Sequence, residues 1–189
     1  MGGRVVVLFA LFVVACLLGS GCGGGEESAL PTPTDSAHAT ATPLPVLIGD
    51  IMRFLPEAPL GWQIEAGPTD YLQELEGHTY SEAVAQYGNS STGETVTVHI
   101  RDSAGYHGFY WWPEQQLWGD VQTSEVYAKK ISIDGYHAYK KVVTVASEPS
   151  CYLVVVVADR FLISIVSEGE GSLDQFSGLV DYGGLAALK

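Results

Sequence analysis

The chain has 189 residues, of which 22 are acidic and nine are basic, so its formal net charge is −13. A surface this acidic repels the phosphates of nucleic acids and of anionic lipid head groups, which excludes nucleic acid as a partner. The only basic pairs, Lys129-Lys130 and Lys140-Lys141, lie in segments with a strand-like pattern and do not form a basic patch.

The first 22 residues are typical of an export signal that ends in a lipidation site. Arg4 is followed by fourteen apolar residues at 5–18 and then by Gly19-Ser20-Gly21-Cys22. A membrane-spanning helix needs about 20 apolar residues, so this run is too short to cross a bilayer. Small residues before a cysteine let the enzymes that acylate the thiol and cleave the leader approach the backbone. We therefore predict lipid attachment at Cys22.

Two alternatives for this segment stay open. The leader could be retained as a signal anchor, or acylation could occur at Cys16, which follows Val13-Val14-Ala15. Cys22 is favoured because a flexible polar sequence at 23–28 follows it, as a tethered domain requires. The prediction places the mature chain on the cell membrane through its lipid anchor, with its domain facing the extracytoplasmic side.

Residues 23–45 are predicted to form a disordered linker rich in glycine, threonine and proline. They show no apolar periodicity and cannot bury enough apolar surface to offset the entropy lost on ordering. Beyond the leader only Cys151 remains, so the mature chain can form neither an intrachain disulfide nor a cysteine metal cluster.

Residues 46–189 are predicted to form one α+β domain, because this length suits a single sizeable core. The apolar pattern at 46–55 indicates a short amphipathic helix that ends before a proline. A turn then leads into a short strand that contains Trp62. Strand-like segments at 78–87 and 94–101 flank a polar loop, which predicts a hairpin.

The second half of the domain is predicted to complete a single, predominantly antiparallel β-sheet with flanking helices. Asp134-Gly135 lies between two strand-like segments and strongly indicates a tight hairpin turn. The apolar run at 152–158 indicates a central strand that is covered on both faces. A closing helix is expected to follow, with Ser172 as its N-cap.

The segment 103–121 is rich in aromatic residues and is the candidate binding surface. These residues are Tyr106, Phe109, Tyr110, Trp111, Trp112 and Trp118. Aromatic side chains outside regular strands can stack on a sugar or a partner chain, and Tyr and Trp favour interfaces. The alternatives are that they cap the sheet core or dip into the lipid interface. Separately, Asn89-Ser90-Ser91 in the hairpin loop makes Asn89 a possible glycosylation site.

Motifs of catalysis and of metal or cofactor binding are not found in the sequence. The histidines lack the spacing of metal ligands, and neither a Gly-x-Ser-x-Gly elbow nor a phosphate-binding loop occurs. One hypothesis depends on strand register: as cross-strand neighbours, His78 and His99 would bind a metal together with Glu82. Solvated polar side chains are the favoured alternative. We therefore predict no catalytic residue, metal site or cofactor, and a non-enzymatic role is favoured.

Three stretches carry a resemblance to a known layout: the Gly61-Trp62 turn, the strand and turn at 131–139 (ISIDGYHAY), and the turn and strand at 159–165 (DRFLISI). Their order resembles the PsbP/Mog1-like fold, which occurs in photosystem accessory proteins, a nuclear transport factor and bacterial lipoproteins. With LPEAP at 55–59 and LAAL at 185–188, the chain is also similar to small uncharacterised lipoproteins of methanogenic archaea. The resemblance covers roughly residues 54–189.

The resemblance implies binding or assembly support rather than catalysis. We predict a membrane-tethered extracytoplasmic lipoprotein that acts as a binding or assembly-accessory module, with an envelope protein or a glycan as its partner. Two alternatives stay open. One is a carrier of a small apolar ligand or a metal, and the other is an extracytoplasmic hydrolase whose site the sequence does not reveal.

Overall fold

An eight-stranded antiparallel sheet forms the centre of the fold, and the described residues include three short helices. The computed structural model describes residues 44–75, 77–104, 120–144 and 149–188. The strands are β1 (Trp62–Leu75), β2 (His78–Asn89), β3 (Thr95–Asp102), β4 (Val121–Gln122), β5 (Val126–Ile133), β6 (Tyr136–Val143), β7 (Ser150–Val157) and β8 (Phe161–Ser167). The helices are α1 (Ile48–Met52), α2 (Glu170–Ser177) and α3 (Tyr182–Ala186).

Two antiparallel meanders make up the sheet, whose strand order is β1-β2-β3-β8-β7-β6-β5-β4. The first meander runs from β1 to β3 and the second from β4 to β8, and they join where β3 pairs with β8. At this join Val98 lies opposite Ile165, and Ile100 lies opposite Ile163. The outer strands are therefore β1, with 14 residues, and β4, with only two.

The hydrophobic core lies between the helices and one face of the sheet, here called the helix face. Alternate residues of β7 are almost fully buried there: Cys151, Leu153, Val155 and Val157. They share the core with Leu173 and Phe176 of α2 and with Leu185 of α3. The ring of Phe176 lies 5.0 Å from the ring of Trp62 and 4.7 Å from that of Tyr87, between centroids. Packing of these aromatic rings holds α2 against the first meander.

The predicted single antiparallel sheet is confirmed, and the fold is mostly β because the helices are short. The hairpin of β2 and β3 has the predicted position. Asp134-Gly135 forms the turn between β5 and β6, with φ angles of 49° and 86°. Two consecutive residues in this left-handed region match the twist of the flanking strands, which explains why Asp-Gly specifies this turn.

The central position of β7 is also confirmed, but its burial on both faces is only partly correct. Its helix-face residues are buried, whereas Val154 and Val156 on the other face are half-buried and Tyr152 is 38% exposed. This other face is here called the second face. The apolar run at 152–158 therefore predicted a central strand correctly, but the second face of β7 is less buried than predicted.

The closing helix begins earlier than the sequence predicted. α2 starts at Glu170 with Gly169 at its N-cap position, so the assignment of Ser172 as N-cap is wrong. Ser172 lies within the first turn, where its hydroxyl donates a 2.9 Å hydrogen bond to the carbonyl of Gly169. In the described ranges, no helix is long and apolar enough to span a membrane.

β1 is much longer than the short strand predicted at Trp62. It pairs with β2 along most of its length, with register shifts between Ile64 and Thr69. Gly67 and Pro68 lie in this irregular part, and both residues are rare in strands. Pairing with β2 on both sides of the irregularity overrides this low local propensity.

Candidate functional site

Most residues to which the sequence gave a role lie outside the described residues: Cys22, Tyr106, Phe109, Tyr110, Trp111, Trp112 and Trp118. Asn89 is described, and it lies at the end of β2 as expected for the hairpin loop. Its side-chain Oδ1 accepts hydrogen bonds from the backbone N–H of Ser91 at 3.0 Å and of Thr92 at 3.3 Å. The half-buried Asn89 amide therefore closes the β2–β3 turn.

A network of charged side chains on the second face is centred on Glu82 of β2, which is only 3% exposed. Its Oε1 lies 2.8 Å from Nδ1 of His99, and its Oε2 accepts a 3.1 Å hydrogen bond from Arg101. Both partners belong to β3, where Arg101 is directly opposite Glu82 and His99 is its diagonal neighbour. The Arg101 guanidinium also lies 4.9 Å from the centroid of the Tyr80 ring.

The electrostatics of this network keep Glu82 ionised at neutral pH. Burial alone would raise the pKa of the Glu82 carboxyl, but the hydrogen bonds and charges of His99 and Arg101 outweigh it and hold the pKa below 4.5. A carboxylate on Nδ1 selects the imidazole tautomer that donates from Nδ1. In that tautomer Nε2 is a hydrogen-bond acceptor. The His99 side chain is 35% exposed.

Ser164 of β8 lies opposite His99 across the join between β3 and β8. Side chains that are directly opposite in an antiparallel pair share a face and have Cβ atoms about 5 Å apart. Glu82, His99 and Ser164 therefore follow one another on three neighbouring strands. Among the described side chains, His99 is hydrogen-bonded to Glu82 and not to Ser164. The group has the contact between carboxylate and imidazole that a serine hydrolase uses, without the contact between hydroxyl and imidazole.

The hypothesis of a metal site shared by two histidines is wrong in its register. His99 lies opposite Val84, whereas His78 lies opposite Leu75 at the other end of β2. Six residues of extended strand, about 20 Å, separate positions 78 and 84. Of the three residues in that hypothesis, only His99 and Glu82 are in contact. Across the four described ranges, no group of three or more His, Cys, Asp or Glu side chains is placed to hold a metal ion.

A second buried carboxylate, Asp102, fixes the segment that leads into the domain. Its two oxygens each accept a 2.8 Å hydrogen bond from Arg160. The same carboxylate accepts the backbone N–H of Val46 at 2.6 Å and that of Ala104 at 2.8 Å. Arg160 also donates to the carbonyl of Leu44 at 3.2 Å. Because Asp102 is fully buried and accepts hydrogen bonds from Val46, Ala104 and Arg160, we assign it a structural role.

The outer strand β1 presents an exposed edge, here called the β1 edge and defined as residues 69–74. In the part of the chain that the structure describes, only β2 pairs with it. Asp70, Leu72 and Glu74 alternate along the strand and share one face. All three are exposed, and Leu72 is 57% exposed. Every second residue of such an edge also directs its backbone N–H and C=O away from the sheet.

Sequence reasoning missed the β1 edge and the Asp102–Arg160 pair. For β1, the available signal was the dipeptide Glu76-Gly77 between two segments that each contain a tyrosine and other strand-forming residues. For Asp102 and Arg160, no local signal exists, because 58 positions separate them in the sequence.

No protein-family model matches this chain, and neither a curated protein nor a solved structure matches it.

Proposed function

We propose that the chain is a membrane-tethered extracytoplasmic lipoprotein whose folded domain is a binding or assembly-accessory module. The leader and Cys22 support the lipid anchor, and the glycine-, threonine- and proline-rich linker supports a domain held away from the membrane. The element order that resembles the PsbP/Mog1-like fold supports a role in binding rather than catalysis. The proposed partner is an envelope protein or a glycan.

The β1 edge is the observation that carries this proposal. An exposed strand edge with unpaired backbone groups is a template for a further strand, and binding domains use such edges to hold extended partner segments. Proteins that do not bind through an edge usually protect it with a short strand, as β4 does at the other end of this sheet. Among the described strands, none pairs with the outer side of β1 at residues 69–74, where Leu72 is exposed at the middle.

Photo-crosslinking of the full chain in its native envelope tests this function. A photoreactive amino acid at Leu72 should give a discrete crosslinked product, whereas the same group at the exposed residue Glu125 should not. The variant Cys22→Ala should release the chain from the membrane fraction. A chain that stays cytosolic, or that crosslinks to nothing from any exposed position, contradicts the proposal.

The aromatic segment gives a separate test of the same proposal. The double variant Trp111→Ala with Trp112→Ala should weaken partner capture and leave the circular dichroism spectrum unchanged. Loss of the folded spectrum instead would assign these two side chains to the core.

A second candidate function, hydrolysis, is favoured by the row formed by Glu82, His99 and Ser164. The Ser164 hydroxyl would have to be hydrogen-bonded to His99 for this chemistry. In that case a fluorophosphonate probe should label the full chain, and Ser164→Ala should abolish the labelling. Labelling that is absent, or that persists in Ser164→Ala, rules out this candidate.

A further inference from the structure

We propose that the β1 edge binds an extended, basic peptide segment of its partner by strand addition. This inference rests on the proposed function and names the chemistry of the partner. Main-chain hydrogen bonds would provide the affinity, and side chains on alternate residues would provide the selectivity.

The geometry of β1 provides room for a further strand. β1 is the last strand of the sheet, and its pairing with β2 is regular from Thr69 to Leu75. The side chains along this stretch are mostly exposed, and no other strand of the described residues pairs with the edge. Because alternate residues of an antiparallel strand bond to opposite sides, half of the backbone groups here face outward.

The negative charge on the β1 edge favours a partner strand with basic side chains. Asp70 and Glu74 flank Leu72 on one face of the strand, and β1 contains no basic residue. Neither carboxylate forms an ion pair with a described residue. A partner strand with basic residues opposite Asp70 and Glu74, and an apolar residue between them opposite Leu72, satisfies all three positions. Opposite charges directly across an antiparallel pair are stabilising.

A second copy of this chain fits the edge less well than a basic segment does. If two copies paired antiparallel with their Leu72 residues opposite each other, Asp70 of each copy would face Glu74 of the other. Like charges directly across a strand pair are destabilising. The acidity of the whole chain adds to this repulsion between copies. The edge is therefore assigned to a foreign, basic strand.

Fluorescence anisotropy with synthetic peptides tests the inference on the lipid-modified full chain in detergent micelles at physiological salt. The probe is a capped seven-residue peptide that has threonine at odd positions and lysine, valine and lysine at even positions. The comparison peptide has glutamate in place of both lysines. The lysine peptide is expected to bind about tenfold more tightly, because two cross-strand charge pairs reverse their sign.

Backbone methylation distinguishes strand addition from simple charge attraction. Two further lysine peptides carry N-methyl groups, one at its odd positions and one at its even positions. Only alternate N–H groups of an added strand face β1, so one of the two peptides should lose binding and the other should retain it. Equal binding by both methylated peptides overturns the inference.

A charge-reversal variant with a matched control completes the test. The double variant D70K with E74K should reverse the preference in favour of the glutamate peptide. The control, E57K with E125K, makes the same change in net charge at exposed positions outside β1 and should keep the lysine preference. An equal effect of both double variants overturns the inference, as does self-association of the full chain without peptide binding. If Leu72 crosslinks to an envelope partner while D70K with E74K leaves peptide binding unchanged, this inference fails and the proposed function stands.

Discussion

Removal of the Asp102 carboxylate should be among the most destabilising single changes in this domain. Asp102→Ala deletes the acceptor of four hydrogen bonds, two from Arg160 and two from the backbone N–H groups of Val46 and Ala104. Breaking a buried ion pair from one side costs about 3–5 kcal/mol, because it leaves the other charge uncompensated. The Arg160 side chain is only 18% exposed, so water replaces few of its lost contacts. We expect the free energy of unfolding to fall by about 3–5 kcal/mol.

Urea unfolding of the full chain, followed by far-UV circular dichroism, measures this loss. Glu57→Ala serves as the control, since Glu57 is exposed and its removal should change stability by less than about 0.5 kcal/mol. A double-mutant cycle with Arg160→Ala should show strong coupling, so that the double variant loses much less than the sum of the two single losses. A loss below about 1 kcal/mol for Asp102→Ala, or additive losses, would refute the buried-pair argument.

Three further changes test the core and the network on the second face. Phe176→Ala removes the ring that packs on Trp62 and Tyr87 and should cost about 3–5 kcal/mol in the same urea assay, and a cost below 1 kcal/mol would contradict this packing. Tyr87→Phe removes the 2.6 Å hydrogen bond to the carbonyl of Pro56 and should cost about 1–3 kcal/mol. Because burial raises the pKa of Tyr87 to about 12, ultraviolet titration of this variant should lose one late-ionising tyrosine, and an unchanged titration would argue against the assignment. The lowered pKa of Glu82 stabilises the fold fully above pH 4.5, and this contribution disappears as the pH falls from 4.5 through the folded-state pKa. Glu82→Gln should therefore lose less stability than the natural chain over that interval, and parallel acid unfolding curves would contradict it.

Local chemistry explains the parts of the fold that could be predicted. Asp134-Gly135 specified a turn because both residues tolerate a positive φ, and the alternation of Val96, Val98 and Ile100 indicated a strand with one buried face. β1 was underestimated for a related reason. Its glycine, proline and acidic residues have low strand propensity, and only pairing with β2 keeps them extended.

The candidate sites were harder to predict because they depend on register and on distant pairing. A shift of one residue between β2 and β3 would turn Glu82 toward the core and separate it from Arg101. Both residues are visible in the sequence, but the strand register that places them opposite each other is not. The proximity of Ser164 to His99 is still less accessible, because it requires knowledge that β8 returns to lie beside β3.

The join between β3 and β8 has a consequence for the order in which the protein can form. It brings Val96 beside Ser167, so the first meander acquires its inner neighbour only once the chain has been made as far as β8. Contacts between residues this far apart in the sequence form slowly during folding. Until β8 pairs with it, the inner edge of β3 stays unpaired, so the two meanders join late in folding.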